Sequence, residues 1–383
     1  RAHFFIGEHE ATPGYLAGLI HAGRWHIILG LYRVAPEGCD YIVTIELTPS
    51  GKIPNSKSQI PTSTLQSPPS TPQWYRGDLQ SHTHHSDGKG SLATLIATAR
   101  ARGLDFLAVT DHNTISHVRE FTREQTSDLL LIPATEVTTY YGHMNVWGVR
   151  EWLDFRCRDA ATMRRIIAEA HRRGCLASVN HPKTGGPPWE YGDDLEFDCI
   201  EVWQAPWPFY NVESFAWWES LLRQGRRIVA VGGSDYHQPV NVMEGNPHLL
   251  GHPTTWVYAA ELSVDSILHA IRHGHVFISA DVDGPRMEMT ATDDDQTYQM
   301  GDAVESRATT CDVTLRADGA LGCHARLIAD GTVVAELPID AAKWSHTWRD
   351  AQRATHYIRA EIILRTPHSD DWVMRACGNP IYF

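Results

Sequence analysis

Between Gly77 and Gly88 the chain reads Gly-Asp-Leu-Gln-Ser-His-Thr-His-His-Ser-Asp-Gly, so His82, His84, His85 and Asp87 crowd into six residues. Imidazole and carboxylate are ligands for borderline divalent metals such as zinc, manganese and iron. The approach is strand-like, which points Gln80 and His82 the same way. Ser86-Asp87-Gly88 is a turn signal that bends the chain back over that face. The same residue types recur downstream, nearly always where a short apolar run ends. They are His112 after Asp111, Glu136 after Thr135, His181 between Asn180 and Pro182, and Asp235 and His237 around Tyr236. His143 lies on a strand-like piece of its own. A random scatter of 22 histidines would not choose strand ends.

The segments between these residues define the elements that must position them. Leu92, Leu95, Ile96 and Ala99 form one helical face closed by Gly103, and Met163, Ile166, Ile167 and Ala170 form another closed by Gly174. A helix opens at Asn211 and runs through Leu222. Val264, Ile267, Leu268 and Ile271 mark the last one, and a polar helix-like piece covers Ile115 to Thr126. Apolar strands are expected over 105–109, 129–133, 142–147, 175–179, 199–202 and 228–231. Strands alternating with amphipathic helices argue for a parallel α/β barrel or sheet, with function at the C-terminal strand ends. On either side the pattern is different. Trp25 to Tyr32 and Tyr41 to Leu47 read as strands, and 54–73 is a Ser/Thr/Pro-rich linker or loop. From about 284, strands over Arg286 to Ala291, Cys311 to Arg316, Ala325 to Ile328, Val333 to Leu337 and Tyr357 to Leu364 predict a small antiparallel β-sandwich. The expected units are 1–73, 74–283 and 284–383.

Composition removes several function classes. The formal charge is −13, from 46 acidic and 33 basic residues, with no Lys/Arg block to track a phosphate backbone, so long nucleic acid is not an expected partner. No apolar run approaches the roughly 18 residues of a membrane span. A G-x-S-x-G elbow, a P-loop and a dinucleotide fingerprint are all absent. The seven cysteines show no CxxC pair, which predicts free thiols in a reducing, cytoplasmic setting. Cys311 and Cys323 are the pair to consider if a disulfide exists. Residue 1 is Arg, not Met, which leaves a removed leader, and hence secretion or a periplasmic site, open.

Residues 74–283 resemble a PHP domain (polymerase and histidinol phosphatase), and are more similar to the bacterial branch containing carbaryl-hydrolase-like proteins. The resemblance rests on Asp78-Leu79-Gln80-Ser81-His82 followed by Ser86-Asp87-Gly88, then Thr110-Asp111-His112, Glu136, Gly142-His143-Met144-Asn145, Asn180-His181-Pro182 and Gly233-Ser234-Asp235-Tyr236-His237. The closing Gly378-Asn379-Pro380-Ile381-Tyr382 is also similar to that branch. The resemblance implies a distorted seven-strand (β/α) barrel flanked by an N-terminal β region and a C-terminal sandwich. It implies two to three divalent ions (Mn, Zn or Fe). One would take His82, Glu136, Asp235 and, weakly, Gln80; a second Glu136, His143 and His181; a third Asp87, His112 and His237. Gln80 stands where the family has histidine. A neutral amide oxygen is the poorer ligand for borderline metals, so the first site is expected to be weaker, to select a harder metal, or to be empty in some preparations.

The chemistry expected of such a centre is hydrolysis of small phosphodiesters or monoesters by a hydroxide bridging two ions. The same nucleophile would attack a carbamate, amide or aryl ester, which is the alternative reading. A degenerate, non-catalytic module is a third. His85, Lys183 and Tyr236 are the candidates for an acid or substrate contact, and Asp111 for orienting ligands. Trp203 and Trp207 are candidates to wall a pocket for an aryl or nucleoside group. Lys183 and Lys89 are the only nearby lysines, a sparse anion clamp that favours diesters or aryl substrates over sugar phosphates.

Overall fold

The computed structural model describes residues 3–27, 36–47, 71–121, 128–238, 248–293, 296–304, 310–352, 356–366 and 371–383. Before residue 73 the described residues contain no strand, only a bridge between Ile6 and Ala11. The strand expected over Tyr41 to Leu47 is not formed: Ile42 is 94% exposed. Its composition suits a strand, but a strand needs a neighbour, and none lies beside it among the described residues. The strand expected over Trp25 to Tyr32 lies largely outside the described residues, as does most of the Ser/Thr/Pro-rich stretch. The N-terminal segment docks through the Gly14 N–H to Ser116 Oγ (3.0 Å) and Arg119 to the Ala17 carbonyl (2.7 Å).

The central elements are β1 (Gln73–Asp78), α1 (Leu92–Ala101), β2 (Phe106–Val109), a 3-10 turn (Ser116–Glu120), β3 (Leu130–Thr139), β4 (Gly142–Trp147), α2 (Ala160–Arg172) and β5 (Leu176–Asn180). They continue as β6 (Cys199–Gln204), α3 (Asn211–Arg223), β7 (Val229–Gly233), β8 (Thr254–Ala259), α4 (Val264–Arg272) and β9 (Val276–Ser279). Ser91, Asp159 and Ser263 each accept the backbone N–H three residues on, satisfying orphan donors at the starts of α1, α2 and α4. The helix-like piece expected from Ile115 to Thr126 is only the short 3-10 turn where described.

The strands run β9-β8-β1-β2-β3-β4-β5-β6-β7 across the sheet. β1, β2 and β3 are parallel, as are β5, β6 and β7. The all-parallel expectation needs correction at two places. β4 is antiparallel between β3 and β5, because Tyr140 and Tyr141 turn the chain straight back into a hairpin rather than through a helix. β8 and β9 pair antiparallel beside β1. At the far edge the chain beyond β7 returns to the chain beyond β1. Ser81 bridges Tyr236 in parallel, the Asp235 N–H donates to the Gln80 carbonyl (3.1 Å), and the His82 N–H donates to the Tyr236 carbonyl (2.9 Å). The strand ends carrying the chemistry are thus gathered at one rim.

The C-terminal region adds β10 (Arg286–Asp293), β11 (Gln296–Gln299), β12 (Thr310–Asp318), β13 (His324–Ala329), β14 (Thr332–Pro338), β15 (Lys343–Gln352), β16 (Tyr357–Arg365), β17 (Trp372–Gly378) and β18 (Ile381–Tyr382). One antiparallel sheet, β11-β10-β12-β15, faces a second, β14-β13-β16-β17. Met289, Val313 and Leu315 of the first share a core with Leu327, Ile358 and Ile362 of the second. The second sheet is continuous with the central one, because β17 pairs with β9. All seven cysteines are free, Cys311 and Cys323 included. No described helix is long and apolar enough to cross a membrane.

Candidate metal centre

Two backbone features bring the side chains together at the rim. Asp78, fully buried at the end of β1, accepts N–H bonds from Gln80 (3.1 Å), Ser234 (3.0 Å) and Gly251 (2.7 Å). It ties the chain after β1 to the chain after β7. Beyond β5 and β7, His181 (φ 30°) and Asp235 (φ 54°) adopt left-handed conformations that non-glycine residues rarely occupy. Such strain persists where the surroundings over-determine it, and it aims both side chains inward.

Glu136, on β3 and wholly buried, is the hub. Its Oε2 lies 3.3 Å from His82 Nε2 and 3.5 Å from His112 Nδ1. Its Oε1 lies 2.9 Å from His143 Nδ1 and 3.4 Å from His181 Nε2, and accepts Asn180 Nδ2–H at 3.1 Å. Asp235 Oδ1 lies 3.0 Å from His82 Nε2. Asp87 Oδ1 reaches His112 Nε2 (3.3 Å) and His237 Nε2 (3.1 Å). Three sets of ligand atoms, each mutually within 4.8 Å, result: His82/Asp87/His112/His237, His112/Glu136/His143 and His82/Glu136/Asp235. Gln80 sits against the last, donating from Nε2 to Asp235 Oδ1 at 3.2 Å.

The donor set fits divalent ions on a structural criterion. Buried polar atoms are nearly always hydrogen-bonded. Here His82 Nδ1 and Nε2, Glu136 Oε2, His143 Nδ1, His181 Nδ1 and Gln80 Oε1 are buried without a hydrogen-bond partner. The approaches of His82 and His143 to the carboxylates are short but off the hydrogen-bond axis. Nitrogen and oxygen ligands converge on shared space more than on each other, as a metal site requires.

The electrostatics agree. Burial alone would lower the pKa of His112, but the Glu136 and Asp87 carboxylates outweigh it and lift it to about 9. His237 is raised to about 10 against burial by Asp87 and Asp235. Burial opposes ionisation of Glu136 and Asp235, yet the surrounding imidazoles hold both well below the carboxylate range. His82 is lowered, first by burial and then by its cationic neighbours His237 and His112. The pocket thus stores negative charge that imidazolium ions offset when no metal does.

The three candidate contacts fare differently. His85 is turned away: its Nδ1 meets Ser116 Oγ (2.7 Å) and its Nε2 meets Glu120 Oε1 (2.9 Å). Tyr236 is core, 2% exposed, with its hydroxyl buried without a hydrogen-bond partner and burial pushing its phenol up. Neither is placed to donate a proton to a substrate. Lys183 stays beside the centre, donating from Nζ to the Gln204 carbonyl (2.9 Å) and Asn211 Oδ1 (2.7 Å), and burial lowers its pKa to about 8. Trp203 and Trp207 are also core, 1% and 8% exposed, in edge-to-face contact at 5.1 Å. Asp111 accepts from the Thr83 N–H (2.8 Å), the Thr83 hydroxyl (2.7 Å) and the Ser86 hydroxyl (2.6 Å), which fixes the turn carrying Asp87.

Other contributors were not singled out from sequence. Glu201 on β6 is buried and accepts the His181 N–H at 2.9 Å, which helps hold His181 in its strained conformation. Burial, then Asp235, raises its pKa well above normal, against Lys183. Gln204 Nε2 donates to Asp235 Oδ2 at 3.0 Å, and the Thr138 hydroxyl lies against His112 Nδ1. The alternation along β6, which turns Glu201 and Trp203 to the same side in a regular strand, is broken by a bulge between them, so periodicity could not find this role.

Residues 78–174 match the PHP domain family. The chain carries a PHP domain. The matched stretch holds Gln80, His82, Asp87, His112, Glu136 and His143; the fold beyond it brings His181, Asp235 and His237 to the same rim. Among solved structures, a two-domain protein of Bacteroides vulgatus containing a predicted PHP-like metal-dependent phosphoesterase is 17% identical, over 82% of this chain and 96% of its own, with a TM-score of 0.45. A Bifidobacterium adolescentis protein proposed to be a metal-dependent phosphoesterase is 17% identical over 45% of this chain and 90% of its own (TM-score 0.32). An amidohydrolase from Chromobacterium violaceum is 16% identical over 46% of this chain and 89% of its own (TM-score 0.31). No curated protein matches significantly.

Proposed function

We propose that this PHP-domain chain is a metal-dependent hydrolase acting on phosphoric esters. The observation that carries the reading is the wholly buried Glu136 carboxylate, approached by four imidazoles at 2.9–3.5 Å while buried donor and acceptor atoms around it lack hydrogen-bond partners. His82, Glu136, Asp235 and Gln80 would hold one ion, Glu136, His143 and His181 a second, and Asp87, His112 and His237 a third. Bound there, such ions lower the pKa of water and stabilise negative charge on ester oxygens. The chain's own residues do the rest. Asn180 and Gln204 orient Glu136 and Asp235 by hydrogen bonds, and Asp111 fixes the turn that presents Asp87. Lys183 places a buried cation next to the His181 strand end. In this reading the strands from β1 to β7 act as a distorted seven-strand barrel, with 74–283 as the catalytic unit and the C-terminal sandwich as its buttress.

Lys183 favours small diesters and aryl esters over dianionic monoesters, because its three donors are partly spent on Gln204 and Asn211. That same sparseness supports the second reading, hydrolysis of carbamate, amide or aryl carboxylic esters. The test is a panel of p-nitrophenyl phosphate, bis-p-nitrophenyl phosphate and naphthyl carbamate with protein loaded with manganese, zinc or iron. Turnover of the diester, abolished in His181→Ala and Asp235→Ala, is expected. Turnover of the carbamate alone would overturn the phosphoesterase assignment, and no turnover with any metal would overturn the enzyme.

A further inference from the structure

Next to the His143 and His181 edge of the centre lies an open cavity of about 420 Å³ that the proposed chemistry does not use. Pro182, Lys183, Gly186, Trp189 and Trp217 line it together with the carboxylate residues Asp193 and Glu213. It is joined to the metal centre through backbone. A methyl group on Gly186 would come within 3.0 Å of His181 Nδ1, and one on Gly142, the neighbour of His143, within 2.7 Å of the Trp189 ring. The cavity thus lies beside the backbone that carries two candidate ligands of the centre.

The charges at the rim are uneven. Glu213 Oε2 accepts only the Thr184 N–H (2.7 Å), and Asp193 Oδ1 only the Trp217 indole N–H (3.0 Å). Both carboxylates are exposed, and among the described residues neither forms an ion pair. The neighbouring cations are spent elsewhere. Arg226 donates to the Asp193 and Leu195 carbonyls and lies over the Phe197 ring, Arg164 pairs with Asp194, and Lys183 turns its ammonium to Gln204 and Asn211. Two indoles and two exposed carboxylates lining one cavity attract an organic cation by ring quadrupole and by charge, and repel an anion.

We infer that this cavity is a specificity subsite for a substrate whose group remote from the scissile bond is an alkyl- or arylammonium. The inference rests on the hydrolase reading for its link to catalysis, but the binding itself does not. Metal-stripped full-length protein is titrated calorimetrically with benzyltrimethylammonium, benzyl alcohol and benzoate. The cation is expected to bind at least about tenfold tighter than benzoate. In Asp193→Asn/Glu213→Gln, which keeps the acceptor oxygens for Trp217 and Thr184, the preference should fall about tenfold while benzyl alcohol binding is unchanged. Equal or tighter binding of benzoate, no detectable binding of the cation, or an unaltered preference in the double variant overturns the subsite. Ester turnover without that preference refutes the subsite alone; cation binding without turnover of any ester refutes the hydrolase alone.

Discussion

The sharpest perturbation is Glu136→Gln, which keeps the shape of the hub and removes its charge. Glu136 is fully buried, and its two oxygens serve His82, His112, His143, His181 and Asn180. In metal-free protein its main compensation is the imidazolium of His112, which stays protonated to about pH 9. Removing one partner of a buried ion pair costs about 3–5 kcal/mol, because the other charge is left uncompensated. The amide still offers an acceptor to Asn180, so the low end, about 3 kcal/mol, is expected. An unfolding entropy of about 2.1 cal/mol/K per residue over 383 residues is roughly 0.8 kcal/mol/K, so the metal-free variant should melt about 4 °C lower.

Stability alone does not discriminate a metal hub from a structural ion pair; metal content does. Two of the three ligand sets contain Glu136, whereas His82/Asp87/His112/His237 does not. After equilibrium dialysis, elemental analysis should therefore find that the variant retains only the ion held by the Asp87 set. A calorimetric scan with added metal should show a smaller rise in Tm than the wild type, since each lost site removes about 2.7 kcal/mol of linkage at a hundredfold excess over Kd. If Glu136→Gln binds as many equivalents as the wild type, Glu136 is not a shared ligand and the assignment of the centre fails.

Three further outcomes follow from particular contacts. Asn379, 2% exposed, bonds the Ala230 N–H (2.8 Å) and the Ala230 and Val276 carbonyls (2.9 and 3.0 Å), and because the Val276 carbonyl keeps the Asn379 backbone N–H, Asn379→Ala removes the side-chain partners of the buried Ala230 N–H and carbonyl and should cost on the order of 2–4 kcal/mol in chemical denaturation; a loss under about 1 kcal/mol would mean that water replaces them. Gln80→His should tighten zinc relative to manganese in competition dialysis, and an unchanged ratio would place residue 80 outside the ligand sphere. The hydrogen bond of His171 Nε2 to Asp198 (2.8 Å) raises the imidazole pKa against partial burial, so its stabilisation is complete below the unfolded value of about 6.5 and lost as pH rises through the folded value. The Tm advantage of wild type over His171→Gln should shrink as pH rises above neutrality, and a growing advantage would contradict the assigned charge.

Most of the candidate ligand set was legible because His181 and Asp235 follow a short buried strand by one or two residues, His82 and His112 by three or four, and Glu136 and His143 lie on strands, so a one-dimensional signal maps onto one rim. The misreadings have physical causes. Tyr236 lies between Asp235 and His237, past the end of β7, where the left-handed backbone at Asp235 breaks the alternation and the Tyr236 ring packs in the core. Trp203 and Trp207 stand near a strand end, but a β-bulge beside Trp203 and close packing with each other bury both. The aromatic residues that line the cavity, Trp189 and Trp217, come from a loop and a helix face that meet only in three dimensions. Tyr41 to Leu47 has strand composition without a strand, because pairing depends on a neighbour the local sequence does not specify. β8 and β9 were missed for the converse reason: their neighbours β1 and β17 are far off in sequence.

Gln80 lies on the seam where the chain after β1 meets the chain after β7, and its contacts explain why an amide is tolerated there. Its N–H donates to Asp78 and its carbonyl accepts from Asp235, so the backbone position is fixed whatever the side chain. The side-chain N–H then donates to Asp235 Oδ1, while Oε1 is buried without a donor. Reversing the amide would set its oxygen against the carboxylate, so the observed orientation is the stable one. That orientation does two things an imidazole nitrogen facing an ion could not do together: it steadies Asp235 and leaves a neutral oxygen free for a cation. Neutral oxygen favours harder ions over zinc. On the function proposed above, the glutamine would retune the first ion site towards harder metals, and it leaves Glu136 and Asp235 to hold the charge balance of the centre.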